Sequence, residues 1–549
     1  MFGPSRPQAV VVGAGPAGLT AAHELARRGV TVRLVDSAEA PAIAGHTVAV
    51  HPRTLETFAQ MGVVEELLAS GRTSGALTLQ AGTRFPVRLE ADYSSLPTSY
   101  PYTLVAAQHD VEAVLRLALA RLGVPIEWDT RPARIEQDHD RVLLRLHHRG
   151  HTQVVETSWL IRCDDPTPTV REHPAGERTI PTGSPVDGDL PPGTLAWTAV
   201  RGLTVTMLPD PADALPGNKQ APPERRLTSS ARREAYTPAP AHHITQAAPG
   251  TVAPLQQGRL FAVGAAAQPH TPHSGPGSID AGVQGAHNLA WKLAQVVHGH
   301  AAPTLLDTYQ HERRPTGRPI PTRLRTMKSL LARIALAAAL HTARLLRPLR
   351  TVLQRTLLSD LSGLGIRYPS SPLTTHDTHH YICAIGPFVA AGTLPAPHTR
   401  PRPGERLTNA PVHHPHTPAH HALHQQLRDP RWTLLLAAGG LNTGDTPENV
   451  ALNAALQYSP WLSVRTLTTT HTSGPHPLHD PHHHHHHALG LTPGNWLLIR
   501  PDSYIAARGA HLTRHTLQQA LAPLKPTTPL PGQAPHEPRP TREPNRKKH

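Results

Sequence analysis

A glycine-punctuated turn near the start of the chain limits its fold more than any other feature. Gln8-Ala-Val-Val-Val12 is an apolar run of strand type, and Gly13-Ala-Gly15-Pro-Ala-Gly18 follows it directly. Leu19 to Arg28 then has helical patterning, and a second strand-like run, Val30 to Val35, ends at Asp36. This is the order of a βαβ unit whose first turn receives a dinucleotide. Gly13 permits the tight turn, Gly15 lets the backbone approach a pyrophosphate, and Gly18 allows close packing of helix on strand. Pro16 and Ala17 belong to the same turn, where helix N-terminal N–H groups are offered to the phosphates. Asp36 is placed to accept ribose hydroxyls. NAD and FAD both remain open at this point.

The rest of the composition narrows the class. At about 100 to 200 residues per domain, a chain of this length predicts about three domains. Hydrophobic residues make up 38% and charged residues 17%; the chain has 60 prolines and 41 histidines, and its second half, where most of the histidines stand, is expected to be loop-rich. The net charge of +14 is spread over isolated side chains and clusters only in the tail Thr541 to His549. There is no basic face with interleaved aromatics, so nucleic acid is not an expected partner. Cys163 and Cys383 stand far apart and outside any C-x-x-C, which predicts neither a disulfide framework nor a metal knuckle and suits a reducing cytoplasm. Ala9 to Val12 has no basic leader or cleavage site around it, and Leu330 to Leu346 is broken by Arg333, His341 and Arg344. Neither export nor a membrane span is expected.

Four further segments choose the nucleotide. His46-Thr-Val-Ala-Val-His-Pro-Arg53-Thr-Leu-Glu56 is the first, and Tyr100 to Glu112, with Gln108 before a Leu/Ala helix, is the second. The third is Trp159-Leu-Ile-Arg-Cys163-Asp164-Asp165. The fourth and longest runs from Gly258-Arg-Leu-Phe-Ala-Val-Gly264-Ala265 through Gly275-Pro-Gly277-Ser-Ile-Asp-Ala-Gly282 to Asn288, Trp291, Lys292 and Arg314-Pro315. Together they resemble the FAD-dependent aromatic hydroxylases of the p-hydroxybenzoate-hydroxylase type, in the polyketide and phenol branch that carries a C-terminal thioredoxin-like domain. The resemblance covers nearly the whole chain.

That resemblance implies an α/β protein in which a Rossmann-type FAD-binding domain carries an inserted mixed-sheet substrate domain and a C-terminal thioredoxin-like domain. The expected boundaries are 1–75, 101–172 and 255–368 for the FAD-binding domain, 76–100 and 173–254 for the substrate domain, 369–526 for the last domain and 527–549 for a disordered tail. FAD is the implied cofactor, with NADPH or NADH as co-substrate and an aromatic or polyketide-type small molecule as the ring hydroxylated. The implied cofactor contacts are Gly13, Gly15, Pro16, Ala17, Gly18, Asp36, His46, Arg53, Gln108, Asp164, Gly264, Ala265, Gly277 and Gly282. NAD(P)H reduces the flavin in such enzymes, and the reduced flavin activates O2 for transfer of one oxygen to an electron-rich ring. No catalytic acid or base is named, because positioning and exclusion of water are the protein's share.

Physically, the fourth segment is a strand, a Gly/Pro loop and a helix starting near Ile279, so a second helix N-terminus points at the flavin and favours its anionic reduced ring. Asn288, Trp291 and Lys292 read more simply as the face of a core helix. His46 and Gln268 are the polar side chains placed nearest the flavin ring, with a satisfied surface histidine as the plainer reading of His46.

Several positions depart from the family. Arg is usual where His46 stands, Asp where Ala265 and Gly285 stand, Gly where Asp165 stands and His where Gln268 stands. Losing one charged hydrogen bond at Ala265 predicts FAD binding weaker by about 1.5 to 3 kcal/mol. His173 to Val252 is short, rich in Pro and poor in strand pattern, so the substrate domain is expected to be reduced. An FAD-binding protein of the same fold without redox turnover is the alternative reading.

In the C-terminal half, Leu330 to Leu358 has helical spacing that suits packing or a homodimer contact. Trp432 to Ala438, Leu462 to Leu467 and Trp496 to Ala507, with a helix to Leu524, resemble a thioredoxin-type fold, and the missing C-x-x-C excludes thiol redox chemistry. His482 to His487 reads as a solvated low-complexity loop rather than a metal site.

Overall fold

The computed structural model describes residues 6–43, 47–81, 87–164, 195–200, 203–209, 231–235, 254–267, 278–316, 358–359, 362–375, 400–407, 428–439, 446–469 and 476–524. The Leu330 to Leu358 segment, apart from Leu358, lies outside these residues, as do Cys383 and the tail from 527 onward.

At the centre of the N-terminal half is a six-stranded sheet in the order Gln256–Gln257, Leu260–Ala262, Trp159–Arg162, Ala9–Val12, Val32–Val35, Ile126–Glu127. All of its neighbours run parallel except the short edge strand Gln256–Gln257. Ala9–Val12 is buried along its whole length, which is why it reads as an unbroken apolar run. Val11 and Ala9 face the helices Pro16–Ala26, Gln108–Arg121 and Ser278–Val297. Val10 and Val12 face the other way, onto Val142, Leu144, Leu146 and Val155 of an antiparallel meander formed by Thr130–Gln137, Val142–His148 and His151–Thr157. Both faces are therefore covered, as a parallel sheet requires.

A second, five-stranded sheet takes strands from two distant segments, in the order Ala231–Ala235, Leu203–Pro209, Leu195–Val200, Ala76–Ala81, Val87–Asp92. Three of these strands fall inside the stretch that the sequence pattern left poor in strands. Leu195–Val200 pairs in parallel with Ala76–Ala81, more than a hundred residues earlier, so the partner that stabilises it leaves no trace in local periodicity. A small sheet of Thr47–Val50, Thr103–Ala107 and Arg72–Ser74 leads into the helices Pro52–Met61 and Gln108–Arg121.

The C-terminal half has its own five-stranded sheet, ordered Pro477–His479, Leu462–Thr468, Trp432–Ala437, Trp496–Ile499, Ile505–Gly509. The first three strands are parallel and the last two antiparallel. One face of this sheet joins the N-terminal core: Trp432 packs edge-on against Trp291, ring centroids 5.5 Å apart. Trp291 and Lys292 are fully buried, so the core-helix reading of that face holds.

The histidine run departs from the expected loop. Its last four residues open a short helix, His484–Leu489, and His485 and His486 are buried. Asp480 is the cause. Its carboxylate accepts the backbone N–H groups of His484 at 2.9 Å, His485 at 2.9 Å and His486 at 3.1 Å, and the His486 ring nitrogen Nδ1 at 2.8 Å. One acidic side chain thus satisfies the orphan donors of the first turn and turns a low-complexity run into an ordered element.

Candidate FAD-binding site

The glycine loop takes the form its sequence demands. Gly13 has φ +100, and a Cβ there would lie 2.8 Å from the backbone nitrogen of Asp164. A Cβ on Gly18 would lie 1.8 Å from the Gly13 carbonyl oxygen, so only glycine lets the helix sit this close to the strand. Gly15 is different: a Cβ there would meet nothing within 4 Å. Its bare face opens outward at the N-cap of the helix Pro16–Ala26, whose first turn has no side-chain cap. Uncapped N–H groups beside an open glycine face form a cradle for an anion.

Asp36 lies at the rim of this cradle. Its carboxylate accepts the N–H of Ala14 at 2.5 Å and that of Ala38 at 2.7 Å, so it holds the loop. A carboxylate has about four lone-pair sites, which leaves acceptor capacity for ribose hydroxyls.

Three of the expected cofactor residues converge although they are far apart in sequence. Gly264 has φ +60, and a Cβ there would lie 2.8 Å from the Ala17 Cβ. A Cβ on Gly282 would lie 3.2 Å from the Ala17 Cβ and 3.4 Å from the Gly264 Cα. The start of the Ser278–Val297 helix is therefore pressed against the start of the nucleotide helix, with the turn Gly264–Ala266 between them. Ala265, half-buried, is in that turn. Asp164 borders Gly13 through its backbone, and its carboxylate pairs with Arg162 through two hydrogen bonds of 3.0 and 2.7 Å. Gln108 opens the helix Gln108–Arg121 and donates to Glu112 at 2.8 Å. His46 and Gly277, with Asp165 and Gln268, lie outside the described residues.

Arg53 does not join this group. Its guanidinium is buried, donates to Glu56 at 3.0 Å and to the Asp502 carbonyl at 2.7 Å, and stacks over the Tyr504 ring. The guanidinium is turned toward the C-terminal half.

Sequence reasoning missed one pair at the site. The His51 ring Nδ1 lies 2.7 Å from Asp280 Oδ2, and the His51 backbone N–H donates to Oδ1 at 3.1 Å. His51 is the N-cap of the helix Pro52–Met61 and Asp280 lies in the first turn of the helix Ser278–Val297, so both helix N-termini meet at one buried carboxylate. No signal in the sequence links residues 229 positions apart.

The open Gly15 face, the uncapped nucleotide helix and the close-packed Ala17, Gly264 and Gly282 fit a long dinucleotide lying across two helix starts. Comparison with known proteins identifies it. The family described as "FAD binding domain" matches residues 6–183 and 222–323, and the chain belongs to it: an FAD-dependent monooxygenase of the p-hydroxybenzoate-hydroxylase type. It is 35% identical over 546 residues to a 6-methylpretetramide 4-monooxygenase of Streptomyces rimosus, covering 94% of this chain and 93% of that one. Its fold is similar to that of an anhydrotetracycline hydroxylase from Streptomyces rimosus, with a TM-score of 0.60, 21% identity and coverage of 95% and 99% of the two chains. An aklavinone-11 hydroxylase solved with FAD and aklavinone gives a TM-score of 0.60 at 20% identity, covering 95% and 99%. These relatives are named for monooxygenase or hydroxylase activity, and they lend no support to the alternative without redox turnover. Among the described residues, no helix is long and apolar enough to cross a membrane.

Proposed function

We propose that the protein hydroxylates an aromatic ring of a polyketide-type small molecule in the cytoplasm, with NADPH or NADH as reductant. The observation that carries this reading is the 35% identity to a 6-methylpretetramide 4-monooxygenase across 94% of the chain, which spans the inserted sheet as well as the FAD-binding domain. Bound FAD supplies the electron transfer and oxygen chemistry. The chain's own residues supply the setting. Gly13, Gly15, Pro16, Ala17 and Gly18 receive the pyrophosphate, and Asp36 receives the adenosine ribose. Asp164, Gly264, Ala265 and Gly282 border the middle of the cofactor, and Gln108 is a further contact to it. Arg53 acts instead as a tie to the C-terminal half.

The C-terminal half is a thioredoxin-like scaffold without thiol chemistry. A parallel β-α-β unit followed by an antiparallel hairpin and a helix supports this reading. The test is the absorbance spectrum of the purified protein with FAD, then anaerobic addition of NADPH, with 6-methylpretetramide and a panel of phenolic polyketides. The expected result is a flavin band that NADPH bleaches and substrate-stimulated NADPH oxidation yielding a hydroxylated product. A bound flavin that NADPH leaves oxidised in the presence of every substrate overturns it.

A further inference from the structure

His51 and Asp280 form a buried pair between the starts of two helices. A helix N-terminus carries a partial positive charge of about half a unit, which favours an anion lying beyond it. Asp280 puts a full negative charge into the first turn of the helix Ser278–Val297, the helix whose start touches the nucleotide loop through Gly282. Left alone, that carboxylate opposes the field the helix offers to an anionic ligand. His51 takes both of its oxygens, one with the backbone N–H and one with the ring, and only 3% of His51 and 8% of Asp280 is exposed.

The neighbouring Tyr93 hydroxyl feels the Asp280 charge. Tyr93 directly follows the strand Val87–Asp92 of the five-stranded sheet, and its hydroxyl accepts from Thr103 at 3.0 Å. Burial, with the Asp280 charge as a smaller contribution, pushes the Tyr93 hydroxyl up to about 12, so Tyr93 stays neutral and adds no charge. The pair thus joins the starts of two helices, one of which touches the nucleotide helix through Gly282 and Ala17.

We propose that His51 and Asp280 are positioning residues that set the electrostatic field at the flavin-facing end of the helix Ser278–Val297, and so tune how readily bound FAD accepts electrons. The pair acts as a unit: Asp280 weakens the field that favours the anionic reduced ring, and His51 limits that weakening. The inference rests on the cofactor placement proposed above.

The experiment is a dye-mediated reductive titration of the FAD-bound protein, which needs neither NADPH nor substrate, for the wild type, Asp280→Asn, His51→Gln and the double variant. Oxidised FAD binding and circular dichroism are measured alongside. Asp280→Asn is expected to raise the ratio of reduced to oxidised flavin at fixed potential at least tenfold, a positive shift of about 30 mV for a two-electron couple. His51→Gln is expected to move the ratio the other way, and that effect is expected to vanish when Asp280 is already Asn. A purely structural pair would weaken FAD binding in both variants without opposite shifts in potential. If Asp280→Asn binds FAD and leaves the ratio within threefold of wild type, the proposal is overturned, and the same holds if the His51→Gln shift persists undiminished in the double variant. Should His51→Gln fail to bind FAD, Asp280→Asn against wild type decides alone. Failure of the wild type to bind FAD would overturn the cofactor placement instead.

Discussion

Arg500 grips Glu312 through two hydrogen bonds, Nη1 to Oε1 at 2.6 Å and Nη2 to Oε2 at 2.9 Å, with both side chains about 1% exposed. The contact joins the C-terminal half to the helix Asp307–Thr316. Lys292 donates to the same Glu312 at 2.7 Å, and Asp502 takes Arg500, Asn288 and the Trp291 indole N–H. Burial alone would raise the Glu312 carboxyl, but Arg500 and Lys292 hold it well below the usual carboxylate range. Asp502 is likewise raised by burial and lowered overall by Arg500.

Removing one member of such a buried cluster leaves the others uncompensated, which costs about 3–5 kcal/mol. Glu312→Gln is expected to lose that much stability in urea melts at neutral pH. The pH dependence follows from the sign of the shifts. A carboxyl whose folded pKa is depressed contributes stability that is complete above its unfolded value, about 4, and is lost as the pH falls from there through the folded value. Wild type should therefore lose stability steeply below about pH 4, and Glu312→Gln should show a shallower acid limb. Equal acid limbs in the two proteins would mean that Glu312 is not held ionised by its neighbours.

Gly15 and Gly18 separate binding from folding. A side chain on Gly18 collides with the Gly13 carbonyl, whereas one on Gly15 enters open space. Gly18→Val is expected to lower the melting temperature of the apoprotein by several degrees, and Gly15→Val to leave it nearly unchanged. Gly15→Val should instead weaken FAD binding at least tenfold, about 1.4 kcal/mol, because its side chain fills the cradle. Flavin fluorescence titration and thermal melts of the two variants check this.

Ala265 offers a gain rather than a loss. It is half-buried in the turn Gly264–Ala266, one residue past the contact between Gly264 and Ala17. A carboxylate there can accept from a flavin side-chain hydroxyl, and one charged hydrogen bond contributes about 1.5 to 3 kcal/mol. Ala265→Asp is expected to tighten FAD binding roughly tenfold to a hundredfold. Unchanged affinity by equilibrium dialysis would show that the turn does not face the ribityl chain.

What the sequence made legible was mostly local. Gly13, Gly15 and Gly18 could be given separate roles because a tight turn, a bare backbone and a close helix each demand glycine for a reason within a few residues. Gly264 and Gly282 were legible only through the resemblance, and their contact with Ala17 is a tertiary fact. The strands at Leu195–Val200 and Leu203–Pro209 were missed because their stability lies in pairing with Ala76–Ala81 and with each other. The tie from Arg53 to the Asp502 carbonyl was not legible because the two residues are 449 positions apart. The histidine helix was hidden because residue type suggested solvation, while one carboxylate, Asp480, decided the backbone.

The same cluster that holds Glu312 predicts that the two halves of the chain do not fold independently. Trp291 lies between Trp432 and the Arg500 guanidinium, with its indole N–H on Asp502, and Arg406 reaches from the C-terminal half to Glu56 at 2.8 Å. A chain stopped at residue 399 would leave Glu312 without Arg500, Glu56 without Arg406 and Arg53 without the Asp502 carbonyl, and would expose a Trp face of about 150–250 Å2. Buried charge without compensation and a bare aromatic surface both favour aggregation. Such a fragment is expected to be insoluble or to bind no FAD, and limited proteolysis of the full chain with FAD should leave the two halves associated after cleavage between them. A soluble fragment that binds FAD with wild-type affinity would show instead that the C-terminal half is a separable attachment, and that the buried charges at the boundary form only after the cofactor domain is complete.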